Sequence, residues 1–466
     1  MTAKPSAART AVLLLATLAL SARAADAPMP DPQAVTTQAA SAAGDDDANK
    51  PNSTEQGQVD LSQSFEHRPL EALLQESSLV GLRDTRINAE LRSMYLDRDN
   101  FNHTESEAWA LGGSLGFKTG YFVNLLAVGA TGYTSQRLSG PEDKDGTKLL
   151  QTGQRPYTVL GELYGQFRLS DQITAIAGRT ELSSPFINAQ DSLMTPNTFE
   201  AVAVKGVIGT EDARTLRFGA GYVDKIKERN SEEFISMATA AGAPAGVSRG
   251  VYVAGADFKA GPFSMGAIDY YSADIINIAY TEIKCSVPLV KGLVLRLNAQ
   301  YARQRGTDDN LLIGKSFSAD QYGFKAETAI GSALFTVART ITANGTSNSP
   351  GSGTDMRNPW GSYPGYTSVQ VENFYRAGED ATLLRAAYNF PIKTGLSVYA
   401  LWVHGSSPDD VNQYAQTEYD GNVQWIARSG VLKGLALRAR YAHIAQAGPK
   451  DEHENELRLI LNYPLP

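Results

Sequence analysis

The chain has 466 residues, a net charge of -8 and a slightly negative mean hydropathy. Beyond the first 24 residues, no stretch approaches the roughly 20 consecutive apolar residues of a membrane-spanning helix, and the single cysteine, Cys285, excludes an internal disulfide framework. Acidic residues cluster in loop-like blocks and basic residues lie more often in strand-like runs, which argues against nucleic acid as a partner.

The first 24 residues have the three regions of a secretory signal peptide. Lys4 and Arg9 form the basic region, residues 11–20 form a short apolar region, and residues 22–24 form an A-x-A cleavage site. We therefore expect residues 1–24 to be a signal peptide that is removed on export.

In the segment at 25–80, residues 25–60 are rich in Ala, Asp, Pro, Gln and Thr. A segment of this composition buries too little apolar surface to offset its conformational entropy. We expect a disordered periplasmic leader there, with a candidate short helix at the sequence PLEALLQ. The β-barrel domain described next is expected over residues 81–466.

From Arg86 onward, apolar and polar residues alternate over short segments. Because successive side chains of a strand point to opposite faces of a sheet, this alternation predicts strands. A weaker run at 368–376 is interpreted as a loop. Eighteen strands are predicted, at 86–98, 108–119, 121–134, 157–169, 172–180, 200–209, 214–224, 249–260, 262–273, 275–287, 293–305, 318–331, 332–344, 381–390, 396–405, 418–429, 435–446 and 455–463.

The connections between these strands mostly alternate between tight turns and longer loops, with exceptions at 274 and 288–292. Short turns on one rim and long loops on the other are typical of outer-membrane barrels. An even strand count places both termini on the short-turn, periplasmic side, and a barrel of ~16–18 strands encloses an aqueous channel. The sequence therefore predicts an all-β fold, a transmembrane antiparallel β-barrel of 18 strands with long extracellular loops in the bacterial outer membrane.

The last hairpin shows which face is apolar. Leu437 and Tyr441 alternate with Arg438 and Arg440, and Leu459 follows Arg458 on the next strand. One such hairpin fits a soluble sandwich equally well, but the pattern recurs without core-forming partner elements. Because a basic side chain facing lipid near the midplane costs roughly 2–4 kcal/mol, the charged face is expected to line the lumen.

Aromatic residues near strand ends are expected to form the interfacial girdles of the barrel. In the segment 157–169, Tyr157 is placed on the apolar face together with Leu163. Three segments have ambiguous faces, so Arg179 and Arg339 are left unassigned. The predicted girdle residues are Tyr157, Tyr301, Tyr388, Trp402, Tyr441 and Tyr463.

The segments PWGSYPGYTSVQVENFYRAGE at 359–379, KGLALRARYA at 433–442 and NELRLILNYPL at 455–465 resemble the OprD-type outer-membrane porins of Gram-negative bacteria. The segment PFINAQDSLMTPNTFEAV at 185–202 is similar to the constriction loop of that family. The resemblance implies an eighteen-stranded barrel, inward-folded loops and a ladder of arginines that guides small carboxylates.

On that resemblance, Arg438, Arg440 and Arg458 correspond to ladder arginines. Two positions depart from the family pattern: Ile460 stands where another basic residue is frequent, and Leu193 stands where the constriction loop often has an arginine. The leader at 25–80 is a further departure.

Basic side chains suit an anion pathway, because a guanidinium keeps its charge and offers a fork of donors to a carboxylate. Rows of Arg and Lys favour anions in a pore. The alternative at each position is a side chain paired with an acid, which rigidifies the barrel. The candidate wall residues are Lys118, Arg168, Arg296, Lys325, Arg385, Arg428, Arg438, Arg440 and Arg458.

The loop at 181–199 is the candidate constriction, stiffened by Pro185 and Pro196. An external lid is the alternative for this loop. The residues expected to line the eyelet are Ser183, Ser184, Asn188 and Asp191.

These features predict a channel for passive uptake of small carboxylate-bearing solutes, either organic acids or amino acids. The alternative is a structural, adhesive or lipid-hydrolysing barrel, in which His404 or His443 near a strand end acts as a base. The chain has no HExxH or GxSxG motif and no metal-ligand spacing, so we expect neither an enzyme nor a cofactor or metal. The expected partners are outer-membrane lipid and lipopolysaccharide, small carboxylates and the barrel-assembly machinery; the expected state is a monomer or weak homotrimer.

Overall fold

The computed structural model describes residues 79–210, 214–290, 293–347, 354–406, 414–448 and 452–465. The predicted signal peptide, nearly all of the predicted leader and its candidate helix lie outside these residues. None of the helices within them is long and apolar enough to cross a membrane.

Antiparallel strands make up most of the described chain, and the predicted 18-stranded barrel is confirmed. Two very short strands, β8 and β15, lie within loops. The strands are β1 (Arg86–Asp99), β2 (Glu105–Lys118), β3 (Leu126–Ser139), β4 (Tyr157–Arg168), β5 (Ile173–Thr180), β6 (Thr198–Thr210), β7 (Arg214–Lys227), β8 (Phe234–Ser236), β9 (Val251–Ala260), β10 (Phe263–Ser272), β11 (Ile276–Val290), β12 (Leu293–Arg305), β13 (Phe317–Ile330), β14 (Ala333–Thr342), β15 (Thr346–Ser347), β16 (Asp380–Asn389), β17 (Leu396–Gly405), β18 (Gln416–Ile426), β19 (Ala436–Gln446) and β20 (Glu452–Pro464).

Neighbouring strands pair in sequence order, with β7 pairing β9 across β8 and β14 pairing β16 across β15. The last strand, β20, pairs with β1 and closes the sheet. Closure leaves no sheet edge with unpaired backbone groups, which hydrocarbon would not satisfy. The helices α1 (Val80–Arg83) and α2 (Met237–Ala240) each form a single turn, as do the 3₁₀ segments Glu142–Lys144 and Ile392–Thr394.

The last hairpin has the predicted orientation. Leu437 and Leu459 are 41% and 45% exposed on the outer wall, whereas Arg440 is only 3% exposed on the inner one. Register places Arg440 directly opposite Arg458. The apolar side chains of this hairpin therefore face outward and its arginines face the lumen.

A β-bulge makes one predicted face wrong. The β3–β4 register shifts between Thr131 and Gly132, and Gly161 of β4 is left unpaired. One extra residue reverses the alternation beyond it. Tyr157 consequently points inward, is 3% exposed and donates a hydrogen bond to the backbone oxygen of Arg229 at 2.7 Å. It does not belong to the outer girdle.

Two arginines that the sequence left unassigned lie on the outer wall near the long-loop rim. Arg179 is 3.6 Å from Glu200, and Arg339 forms an ion pair with Asp380. Each pairs with an acid from the adjacent strand, which compensates a charge on this face.

The interior is partly filled, because loops fold into it. In one apolar cluster, the Phe186 ring packs edge-on against Tyr363, with centroids 5.7 Å apart, and against Tyr270 and Tyr280 of the wall. The interior is therefore less polar than alternation alone predicts. A second cluster joins the wall to two loops through Met94, Leu96, Ala108, Ala110, Leu149, Leu150, Leu193 and Met194.

The outward orientation of Leu459 gives a direct test. Replacing Leu459 with arginine puts a charge into lipid near the middle of β20 and is expected to lower the free energy of unfolding by about 2–4 kcal/mol. Urea titration of the barrel in phospholipid vesicles measures this loss. The matched control is Val431→Arg in the short turn between β18 and β19, where the side chain is 93% exposed. Equal stability of the two variants would contradict the assigned faces.

Candidate functional site

A basic row lies on the inner wall formed by β16 to β20. Arg440 donates from Nη2 to the hydroxyl oxygen of Tyr399 at 3.2 Å, and Arg438 donates from Nε to Asn422 Oδ1 at 2.6 Å. The guanidinium of Arg385 lies 4.3 Å from the centroid of the same Tyr399 ring. Tyr399, which sequence reasoning did not single out, therefore positions two of the candidate arginines.

Carboxylates balance much of this basic charge. Arg458 donates from Nε to Glu456 Oε1 at 2.6 Å, and Arg98 of β1 donates to the other oxygen of Glu456 at 2.8 Å. Glu418 and Asp420 are also buried on the inner face of β18. The ion pair of Arg458 therefore fits the alternative role of a wall arginine, which is to rigidify the barrel by pairing with an acid.

Lys325 and Arg296 occupy the inner wall further round the barrel. The ammonium of Lys325 lies 4.9 Å above the Tyr366 ring and 3.5 Å from Glu327. Arg296 is half-buried and stands opposite Glu327 across β12 and β13. Both cations therefore sit beside the same acid.

The three other basic candidates lie at the short-turn rim. Arg168, the last residue of β4, stacks 4.0 Å above Tyr121 and donates to Asn124 Oδ1 at 2.5 Å. Lys118 ends β2, and Arg428 is exposed just beyond β18. These side chains therefore lie at the end of the barrel that carries the short turns, away from the loop at 181–197.

The loop at 181–197 folds into the lumen. Asn188 is buried, and its Oδ1 accepts from the backbone N–H of Ser362 at 2.9 Å, while Ser184 donates to the backbone oxygen of Ile187 at 2.8 Å. Ser183 is exposed. Asn188 thus joins this loop to the segment around Ser362, whereas Ser184 closes a turn within the loop itself.

Asp191 fastens the same loop to the wall. It accepts from Arg92 of β1 at 2.5 and 2.9 Å, and Arg92 also donates to the backbone oxygen of Leu193 at 2.8 Å. Sequence reasoning missed Arg92 and Arg98, because Met94 and Leu96 share their inward face and blur the alternation of β1.

Leu193 and Ile460, the two departures from the family pattern, meet in one apolar cluster. Leu193 is one of the buried residues of the cluster that contains Met94, and Ile460 packs against this cluster from β20. At the two positions where the family pattern suggests a basic residue, this chain therefore has apolar side chains that join the loop to the wall.

A second loop, residues 354–379, crosses the lumen. The run at 368–376 is a loop, as predicted, but its contacts with the wall were not foreseen. Glu418 accepts from the backbone N–H groups of Val371 and Glu372 at 2.9 and 2.8 Å. Gln370 donates its backbone N–H to Asp420 at 3.2 Å and its amide to Glu456 at 3.1 Å. Buried acids of β18 and β20 therefore anchor this crossing loop.

The crossing loop is also joined to the opposite wall and to the first loop. Tyr366 donates to Glu282 at 2.7 Å, and Tyr363 donates to Gln321 at 2.9 Å. Ile187 and Trp360 form an isolated parallel bridge. The two loops together narrow the lumen. Among the described residues, no group of three or more His, Cys, Asp or Glu is arranged to hold a metal ion.

The chain matches the family model described as outer membrane porin, OprD family, over residues 82–466. The chain belongs to this family. It is 23% identical over 418 residues to Porin D of Pseudomonas aeruginosa, covering 82% of this chain and 91% of that protein.

Two solved structures of Pseudomonas aeruginosa proteins share the fold of this porin. OccK9 (OpdG) superposes with a TM-score of 0.71 at 22% identity and covers 84% of this chain and 100% of its own. OpdK, solved with vanillate, has a TM-score of 0.70 at 21% identity and covers 82% of this chain and 98% of its own. Family membership places this porin in the bacterial outer membrane, in contact with membrane lipid and small solutes.

The anchor on Glu418 predicts a wider and noisier channel when it is weakened. Glu418→Gln keeps one acceptor oxygen but replaces the other with a donor, and losing a buried hydrogen bond of this kind costs about 1–3 kcal/mol. We expect larger single-channel conductance and more frequent current fluctuations in planar bilayers. Glu232→Gln, an exposed residue with the same loss of charge, is the control. Identical current traces for both variants would remove Glu418 from this role.

Glu372 makes loop docking depend on pH. Its enclosure between loop and wall, together with Glu454 and Glu379, raises its pKa to about 7, although Arg376 and Arg98 oppose the shift. A carboxyl group whose pKa is raised by docking binds its proton more tightly in the docked state. Docking is therefore strongest below the ordinary pKa of 4.5 and weakens as the pH rises through about 7.

The measurable consequence is a pH-dependent current. Fluctuations in the wild-type current should increase between about pH 5 and pH 8, and Glu372→Gln should lessen that increase, because its side chain does not titrate. The control is again Glu232→Gln. An unchanged pH dependence in Glu372→Gln would exclude Glu372 as its source.

Proposed function

We propose that this porin is a passive uptake channel for small carboxylate-bearing solutes, either organic acids or amino acids, and that it is not an enzyme. The observation that carries the proposal is the inward row of Arg385, Arg438 and Arg440 beside the crossing loop. Arg385 packs over the Tyr399 ring, and Arg440 donates a hydrogen bond to the hydroxyl oxygen of Tyr399. Such guanidinium groups favour anions in a lumen of restricted width.

The positive charge of the basic row is partly neutralised by neighbouring carboxylates, and this favours weak binding of a solute, as transport requires. A solute carboxylate near Arg458 competes with Glu456, so its residence is short. Weak successive sites allow a solute to leave as well as to enter. OpdK, a structural relative, was solved with vanillate, an aromatic carboxylate, which supports the proposed solute class.

The basic candidates support an ordered route. Arg385, Arg438 and Arg440 would act near the constriction, with Arg296 and Lys325 on the wall beyond the crossing loop. Arg168, Lys118 and Arg428 would receive solutes at the short-turn rim. Ser183 and Asp191 would meet solutes from the constriction loop, and Ser184 and Asn188 would set its shape.

A lipid-hydrolysing barrel is less well supported. His404 hydrogen-bonds to Thr417 at 2.9 Å and His443 hydrogen-bonds to Asn455 at 2.8 Å, and neither of these two partners is a carboxylate of the kind that orients a catalytic base. We also propose that the barrel-assembly machinery inserts the chain, that lipopolysaccharide surrounds its outer leaflet, and that it is a monomer or weak homotrimer.

Liposome swelling with a panel of carboxylates and uncharged sugars of equal size tests the proposal. Purified porin should admit at least one carboxylate faster than the matched sugar. Equal rates throughout the panel, or no permeation by folded porin, would reject a carboxylate channel.

Arg438→Gln should lower carboxylate entry selectively. Losing one charge-assisted hydrogen bond of about 1.4 kcal/mol corresponds to roughly tenfold weaker interaction. We expect slower carboxylate swelling with sugar rates preserved. The control, Arg303→Gln, removes an exposed charge from the outer wall. A parallel fall for sugars would mean that the variant alters pore size rather than selectivity.

A further inference from the structure

A cavity of about 580 Å³ lies among the loops of the long-loop rim, apart from the basic row. It is bounded by the loop after α2, the loop between β12 and β13, and the start of the crossing loop. Its volume is in the range of small-molecule sites. Its lining includes Arg357, Asn358, Lys315, Met356, Tyr375 and Ile313.

Arg357 places a guanidinium group on the cavity. Within the part of the chain that the structure describes, its side chain makes no hydrogen bond, and its Nε is buried. The guanidinium packs 5.4 Å from the Phe317 ring. Burial lowers the pKa of Arg357 despite the nearby Asp355, as expected when desolvation is incompletely compensated.

The backbone of Arg357 is fixed by hydrogen bonds to the barrel wall. Gln304 of β12 accepts from the backbone N–H of Arg357 and donates to its backbone oxygen, both at 2.7 Å. Gln304 itself is fully buried. The wall therefore fixes the position from which the guanidinium reaches the cavity.

Asn358 presents the complementary group. Its Oδ1 is buried without a hydrogen-bond partner among the described residues. Leaving a buried acceptor unsatisfied costs about 1–3 kcal/mol. A molecule with an acceptor for Arg357 and a donor for Asn358 would satisfy both side chains at once.

The other residues that line the cavity determine what kind of molecule fits beside these two polar groups. Met356, Ile313 and Pro359 offer apolar surface, and Tyr375 adds an aromatic ring. Asp355 is partly committed, since its Oδ1 accepts from the backbone N–H of Ala377 at 2.8 Å. Lys315 adds a second positive charge to the lining.

We propose that this cavity is a capture site for carboxylates that carry an apolar or aromatic body and a hydrogen-bond donor next to the carboxylate, as 2-hydroxy acids and amino acids do. Arg357 binds the carboxylate, and Asn358 accepts from the hydroxyl or ammonium group. The site rests on the proposed function and adds a selection step at the mouth, before the basic row.

Three probes of nearly equal shape test the site: phenylalanine, 3-phenyllactate and 3-phenylpropionate. They differ in having an ammonium group, a hydroxyl group or a hydrogen atom beside the carboxylate. Each is added on the long-loop side of single channels in a planar bilayer, and the concentration that half-blocks the current is measured. Wild-type porin should bind the first two at least threefold more tightly than phenylpropionate, because only these satisfy Asn358.

Two variants separate the roles of the side chains. Arg357→Gln should weaken block by all three probes roughly tenfold, the loss of a charge-assisted hydrogen bond. Asn358→Leu should remove the preference over phenylpropionate and leave phenylpropionate itself unchanged. Arg357→Lys, which keeps the charge without the fork, should give an intermediate loss. Arg303→Gln on the outer wall is the control.

The outcomes distinguish this inference from the proposed function. If the carboxylates block wild-type porin but Arg357→Gln retains wild-type half-blocking concentrations, the capture site is wrong and the carboxylate channel stands. If no carboxylate blocks or permeates the wild type, the proposed function itself fails. Unchanged electrophoretic heat-modifiability of each variant shows that its barrel is folded.

Discussion

Closure of the hydrogen-bonded ladder is the constraint on which the whole structure depends. Lipid offers no partners to backbone N–H and C=O groups, so a sheet that spans a membrane must have no free edge. Pairing of β20 with β1 meets that requirement. In the closed sheet, every second side chain of a strand faces lipid and the others face the lumen. Because a charged side chain in lipid costs several kcal/mol, the set that faces lipid is apolar.

The lumen that results is shaped by loops tied to the wall through buried acids. Glu418, Asp420 and Glu456 of the wall accept hydrogen bonds from backbone and amide groups of the crossing loop. In the other loop, Asp191 binds Arg92 of the wall strand β1. Glu456 also pairs with Arg458, one of the arginines proposed to attract solutes. Under the proposed function, charge in this lumen would both position the loops and guide anions, and the balance between these two uses would limit how tightly a solute is held.

Much of the barrel could be predicted from the sequence, because alternation with a period of two is a local signal. It located every barrel strand and the faces of the last hairpin. It failed at Tyr157, where the bulge at Gly161 inverts the alternation, and at Arg92 and Arg98, where inward apolar residues pack against loops. These contacts join segments about 100 residues or more apart, as Arg92 with Asp191 and Arg98 with Glu456, so no local pattern contains them.

Neighbouring residues on β19 offer the most direct test of the central claim, that apolar side chains face lipid while guanidinium groups line a water-filled passage. In a Cys285→Ser background, single cysteines at Leu437 and Arg438 are exposed to a negatively charged, water-soluble thiol reagent while current is recorded across a bilayer. We expect the cysteine at 438 to react and lower the current, and the cysteine at 437 not to react. Reaction at 437 with no effect at 438 would contradict it.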